Sequence, residues 1–204
     1  MSEALLWKRL QEELERLVEA APCVAGVVIK DLTTGHSVSV NEDEEFPTAS
    51  TIKIQILAQV LRRAEAGKLD LSRKMALTPE LRVPGSGVIT YFDDVAEMTM
   101  RDVANLMILV SDNTATNLCI DWATYEGTNQ LIRDLGFTRT ILRRKMQDHA
   151  SVREGNENIT TPTEMAGFME VLWRGEKLSK FVCSETLRIL AKPKRGMISP
   201  CLLY

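Results

Sequence analysis

The stretch Phe46–Leu61, FPTASTIKIQILAQVL, decides the fold reading. A Ser–Thr cluster runs straight into an amphipathic helix, and Ser50 and Lys53 stand three residues apart at its first turn. Residues at that spacing share a helix face, so a hydroxyl and an amine can meet there. An amine beside a serine hydroxyl is one way to make a nucleophile. The helix start adds unpaired backbone N–H groups and the positive end of the helix dipole, which favour negative charge on an attacked carbonyl. The competing reading is plain capping, because Ser and Thr are good residues for a helix start. One Ser–x–x–Lys among many serines carries little weight alone.

N-terminal to this stretch, Ser2 can cap a helix with Leu6, Leu10, Leu14, Leu17 and Val18 on one stripe, ended by Ala20–Ala21–Pro22. Val24–Lys30 is rich in β-branched residues, LTTG supplies a turn, and His36–Val40 alternates, which predicts a β-hairpin followed by the acidic loop Glu42–Glu45. The Ser50 helix ends near Gly67. Residues 69–91 read as loop, with Pro79, Pro84, Gly85 and Gly87 as breakers. Thr99-x-x-Asp102 is a capping box that opens a helix through Val110, apolar on most sides and expected at the domain centre. Ser111–Asp112–Asn113 interrupts it, and Thr114 can cap a further helix, Ala115–Ala123. A helix restarting at Gly127–Thr128 runs to Leu135, where Gly136 stops it. Residues 138–160 have no clear period and many charges, the mark of a long surface loop. Thr161–Pro162–Thr163–Glu164 is a strong helix start, and Ser179 begins a last helix.

A hydrophobic share of 45%, a charged share of 26% and a net charge of −3 describe an ordinary globular chain and give no electrostatic reason to expect nucleic acid as a partner. The basic cluster Lys192, Lys194 and Arg195 reads as a solvated tail. Cys23, Cys119, Cys183 and Cys201 form no C-x-x-C pair, and with only His36 and His149 there is no metal-ligand spacing, so buried thiols and no cofactor are expected. Neither histidine lies near Ser50 in sequence, which gives a Ser–His–Asp triad weak support. The longest apolar run, Cys23–Ile29, is far too short to span a membrane. The charged N-terminus lacks the apolar segment of a signal peptide, which reads as a cytoplasmic protein or one whose leader was removed.

Ser111–Asp112–Asn113 adds a second hydroxyl and an amide where a buried helix breaks. Ser111 could relay a proton to a leaving group and Asn113 could hold a substrate amide. The competing reading is a helix-terminating and capping tripeptide. Together, S-x-x-K and S-D-N resemble the active-site set of class A serine β-lactamases and the related penicillin-binding proteins. The resemblance extends over roughly residues 20–190, including Met98–Thr99, the run SDNTATN and N-I-T-T-P-T-E-M. It implies an α+β, mostly helical β-lactamase/transpeptidase-like fold in a single domain over residues 1–195, with an irregular tail at 196–204. It also implies a small-molecule β-lactam or peptide-like substrate, a part in β-lactam breakdown and antibiotic resistance, and members that are often exported. Carried over by motif, Ser50 would be the acylated nucleophile, Lys53 the base or proton relay, Ser111 the proton donor to the leaving nitrogen and Asn113 the substrate-amide holder. Tyr91 would wall the cleft.

Two departures qualify this. The family's loop before N-I-T-T-P carries a Glu that positions the hydrolytic water; counting back from Pro162 puts Lys145 there, with Asp148 and Glu154 as nearby carboxylates that do not match the motif. A lysine is no ready base at neutral pH unless its pKa is strongly lowered, so acylation without fast release is expected. The family's K-T-G strand, which supplies a second oxyanion donor, is not found, and the ending ISPCLLY reads as truncated or altered. Losing one such donor typically lowers turnover by about 10²–10³-fold. It also leaves the hairpin with an open sheet edge through which two copies could pair. The alternatives are a non-catalytic binding domain of the same fold and a Ser–Lys esterase.

Overall fold

The computed structural model describes residues 2–192; the expected tail at 196–204, with Lys194, Arg195 and Cys201, lies outside them. Helix α1 (Glu3–Glu19) precedes strands β1 (Val27–Lys30) and β2 (Ser37–Val40). Then come β3 (Phe46–Pro47), a 3₁₀ turn at Ala49–Ile52, helix α2 (Lys53–Glu65) and strand β4 (Lys74–Leu77). The second half holds β5 (Ala96–Thr99), α3 (Met100–Leu109), α4 (Asn113–Ala123), α5 (Tyr125–Asp134), α6 (His149–Arg153), β6 (Ile159–Thr160), α7 (Pro162–Arg174) and α8 (Lys180–Leu190). The architecture is α+β and mostly helical, as expected.

Instead of one hairpin the described residues form three two-stranded antiparallel sheets, β1–β2, β3–β6 and β4–β5. The last corrects the reading of 69–91 as loop throughout: Lys74 pairs with Thr99 and Leu77 with Ala96. Neither KMAL nor AEMT alternates cleanly, and their partners are distant in sequence, so no local signal marked them.

The central helix is α2 rather than α3. Residues Gln55–Leu61 are all buried, and α2 packs on α4, α5 and α8. Helix α3 buries only Met100, Val103, Ala104 and Met107, on one face, because its Leu106 and Ile108 reach the surface partly. Gln55 and Gln59 disguised the all-round burial of α2 in the sequence. Truncating fully buried Ile56 or Leu57 to Ala would cost about 2–5 kcal/mol.

Several helix starts fall where capping chemistry put them. Thr99 accepts from Asp102 N, Thr161 from Glu164 N and Ser179 from Val182 N. Others shift. Helix α4 is capped by Asp112, not Thr114, and α5 starts at Tyr125 with Thr124 as its cap. The Ser2 hydroxyl makes no cap bond, and α1 buries no residue, with Leu6, Leu10 and Leu17 38–53% exposed. Among the described cysteines Cys119 and Cys183 are buried thiols, whereas Cys23 is exposed. No described helix is long and apolar enough to cross a membrane.

Candidate active site

Ser50 lies on the 3₁₀ turn that runs directly into α2, so Lys53 is the first residue of the α-helix. The turn is fastened from outside: β3 pairs with β6, and Thr48 N donates to the Asn158 carbonyl at 2.8 Å. Ala49, immediately before Ser50, has φ +44°, a left-handed conformation uncommon for a residue with a side chain. Ser111 has φ +55°. Non-glycine residues in this region cost about 1–2 kcal/mol, and such strain collects at functional sites.

The expected meeting of hydroxyl and amine occurs through a third group. Ser50 Oγ and Ser111 Oγ are 2.8 Å apart, and Lys53 Nζ donates to Ser111 Oγ and to the Ser111 carbonyl, each at 2.8 Å. Ser50 is exposed and Lys53 only 2% exposed, so the chain of groups leads from solvent into the core. Burial pulls the Lys53 amine down from 10.5 to about 8, although the Asp112 charge works the other way. Burial also pushes the adjacent Cys119 thiol well above its usual range, so it stays neutral beside the lysine.

Asp112, given no role from the sequence, holds this arrangement. Its Oδ1 accepts from Ala115 N at 2.9 Å and caps α4, while Oδ2 accepts from Val88 N at 2.7 Å and Ile89 N at 2.9 Å. One buried carboxylate thereby joins the 88–91 turn to the segment carrying Ser111 and Asn113. Gly87 permits the approach: a Cβ there would lie 2.2 Å from Asp112 Oδ2, and its φ is +118°. That close-packed glycine, one residue before Val88, was the available sequence signal. Asn113 is buried, with Nδ2 donating to the Pro84 carbonyl at 3.0 Å. Tyr91, on the turn tethered by Asp112, is 76% exposed.

The segment 138–160 is structured. Glu164 at the start of α7 accepts from Thr138 N, Arg139 N, Thr140 N and the Thr140 hydroxyl. Burial raises its pKa, but the Thr140 hydroxyl and the three N–H groups outweigh it and hold the carboxyl below its ordinary value. Asn158 Oδ1 takes Arg143 N and Arg144 N, and Asn117 from α4 bonds Met146 in both directions. Lys145 forms an ion pair with Asp121 of α4 at 2.7 Å. Asp148 gives both oxygens to Ser151, and Glu154 only ends α6. The loop residue that approaches Asn113 is Gln147, itself at φ +63°. A Cβ on Gly85 would lie 2.7 Å from Gln147 Nε2 and 2.9 Å from Asn113 Nδ2, so the two amides close on one glycine. The histidines take no part: His36 stacks on Trp7 with ring centroids 5.4 Å apart, and His149 opens α6.

A sequence profile of the β-lactamase enzyme family matches residues 9–199. The chain belongs to that family. A β-lactamase of Rhodobacter capsulatus is 32% identical over 185 residues, covering 83% of this β-lactamase-family chain and 58% of the relative. The crystal structure of a β-lactamase from Sphaerobacter thermophilus superposes with a TM-score of 0.82 at 33% identity, covering 88% of this chain and 67% of that one. The structure of PBP-A gives 0.78 at 32% identity, covering 89% and 67%. A point mutant of PBP-A is similar at the same score and identity, in an acyl-enzyme complex with penicillin G. The chain spans about half (45–58%) of the length of the curated relatives it matches.

Proposed function

We propose that this β-lactamase-like serine hydrolase is acylated on Ser50 by β-lactams or related amides and releases the acyl group slowly. The observation that carries the reading is the Ser50–Ser111–Lys53 chain, two contacts of 2.8 Å ending on a buried amine held near pH 8. When Lys53 is neutral it accepts the Ser111 hydroxyl proton while Ser111 takes that of Ser50, and Ser50 Oγ attacks the carbonyl carbon. The oxyanion forms at the start of the 3₁₀ turn, where the leading N–H groups have no partner within the turn. As the C–N bond breaks, the proton returns through Ser111 to the departing nitrogen. Asn113 and Tyr91 border the substrate in this reading.

Release needs a base to activate water. The group beside Asn113 is the neutral amide of Gln147, and Lys145 is committed to Asp121. An amide cannot take the proton, so the acyl-enzyme accumulates.

Intact-mass spectrometry after incubation with benzylpenicillin tests this. A single added penicilloyl mass is expected, lost in Ser50→Ala. No added mass, or the same added mass in Ser50→Ala, refutes the reading. Hydrolysis of a short-chain chromogenic ester without any β-lactam adduct would select an esterase instead.

A further inference from the structure

The connection between α2 and β4, with the first residue of β4, carries three cations, Lys68, Arg73 and Lys74. The fold gathers them at one place. Arg73 O accepts from Met100 N and Leu71 O from Arg101 N, each at 3.0 Å, which ties the connection to the start of α3. Lys74 and Met75 pair with Thr99 and Met98 of β5. Between these segments and the end of α4 lies a cavity of about 560 Å³, lined by the three cations and by Leu69, Met75, Met100 and Trp122. Small-molecule sites run from about 300 to 1,000 Å³. The apolar walls are anchored, because Met100 is buried and Leu69, Met75 and Trp122 pack against the core. No lining residue belongs to the Ser50 cleft.

The charge here runs against the chain's net charge of −3. One carboxylate, Asp70, stands on the lining beside the three cations, and its Oδ1 already accepts from Ser72 N at 2.9 Å and from the Ser72 hydroxyl at 2.6 Å. Arg73 feels the Asp70 charge, yet among the described residues Lys68, Arg73 and Lys74 make no ion pair and no side-chain hydrogen bond. Other arginines of the same elements are paired, Arg62 with Asp134 and Arg101 with Glu185. The Trp122 indole N–H also has no partner among the described residues. The walls suit an aromatic ring in particular. Methionine sulfur and the tryptophan face both make favourable ring contacts, and an arginine plane can stack on one.

We propose that this cavity binds a small aromatic anion, its ring against Met75, Met100 and Trp122 and its carboxylate or sulfonate at Lys68, Arg73 and Lys74. An anion there relieves the mutual repulsion of three cations and meets donors that no protein group occupies. The site stands whether or not Ser50 is acylated.

The probe is 8-anilinonaphthalene-1-sulfonate, titrated calorimetrically into the protein at about 50 mM salt. One site with a Kd of about tens of micromolar is expected, weakening as salt rises. Lys68→Glu/Lys74→Glu changes two exposed side chains without disturbing the core and should weaken binding at least about tenfold. Arg153→Glu/Lys180→Glu reverses two cations elsewhere on the surface and should leave it within about twofold. Carbon-13 methyl spectra of methionine-labelled protein supply the location: the Met75 resonance, assigned through Met75→Leu, should shift on saturation. No binding at 1 mM probe overturns the proposal. So does equal binding of the uncharged analogue N-phenyl-1-naphthylamine, which would make the cavity merely apolar. Undiminished binding in Lys68→Glu/Lys74→Glu, or an unmoved Met75 methyl, places the probe elsewhere and overturns it too.

Discussion

In the proposed mechanism Lys53 sets the pH dependence of acylation. An amine at about 8 is roughly one-tenth neutral at pH 7, whereas an ordinary lysine at 10.5 is neutral about once in 3,000 molecules, so burial enlarges the active fraction by about 300-fold. The rate of adduct formation, followed by quenched-flow mass spectrometry with benzylpenicillin, should rise about tenfold per pH unit below pH 7 and level off above about 8. Lys53→Arg, which stays charged, should lose at least about 100-fold at pH 7. The same desolvation appears in stability with the opposite sense. Because the folded pKa lies below the unfolded one, the cost of burying the charge is full below pH 8 and disappears as pH approaches 10.5. Lys53→Met should therefore unfold later than wild type at pH 7, by up to about 3 kcal/mol, with the gap closing by pH 10.5. A rate flat from pH 6 to 9, or one still climbing tenfold per unit at pH 10, would refute the assignment of Lys53 as the proton acceptor.

Gln147→Glu places a carboxylate beside Asn113 and should turn the stable adduct into a hydrolysed one, read as multiple turnovers of nitrocefin. Lys145→Glu should break the Asp121 pair and give no turnover, and the opposite ranking would show that Lys145 holds the water site. Asp112→Ala leaves three backbone N–H groups without their acceptor and should cost about 3–5 kcal/mol in urea denaturation; a loss under about 1 kcal/mol would remove it as the organiser of the cleft. Glu164 has a lowered folded pKa, so its contribution is present above the ordinary value of 4.5 and is lost as pH falls through the folded one. Glu164→Gln should be less stable than wild type by about 1–3 kcal/mol at pH 7, with a difference that shrinks on acidification. A constant gap down to pH 2 would contradict this.

The parts of the cleft that could be read from sequence are those specified locally. Ser50 and Lys53 are neighbours on one turn, Ser111 and Asn113 come as one tripeptide, and the starts of α3, α7 and α8 are written in their caps. What the sequence hid depends on contacts between distant segments. Asp112 organises the cleft only because Gly87 lets Val88 and Ile89 approach it. Gln147 and Asn113 both approach Gly85, and Asn117 and Asn158 fix the path of the chain around residue 147 through contacts that leave no local mark in the sequence. The strands β4 and β5 form because each completes the other, and neither has a pattern strong enough alone.

The segment 138–160 is held by side chains belonging to other elements or to its own far end: Glu164, Asn117, Asn129 and Asn158 grip mainly its backbone, Glu164 also taking the Thr140 hydroxyl. A main chain looks the same to these anchors whatever residue it bears. The positions between them can therefore exchange a lysine, an amide or a carboxylate without refolding the mount. Under the proposed slow release, keeping or shedding an acyl group would rest on which side chain this mount carries at residue 147, a small evolutionary step.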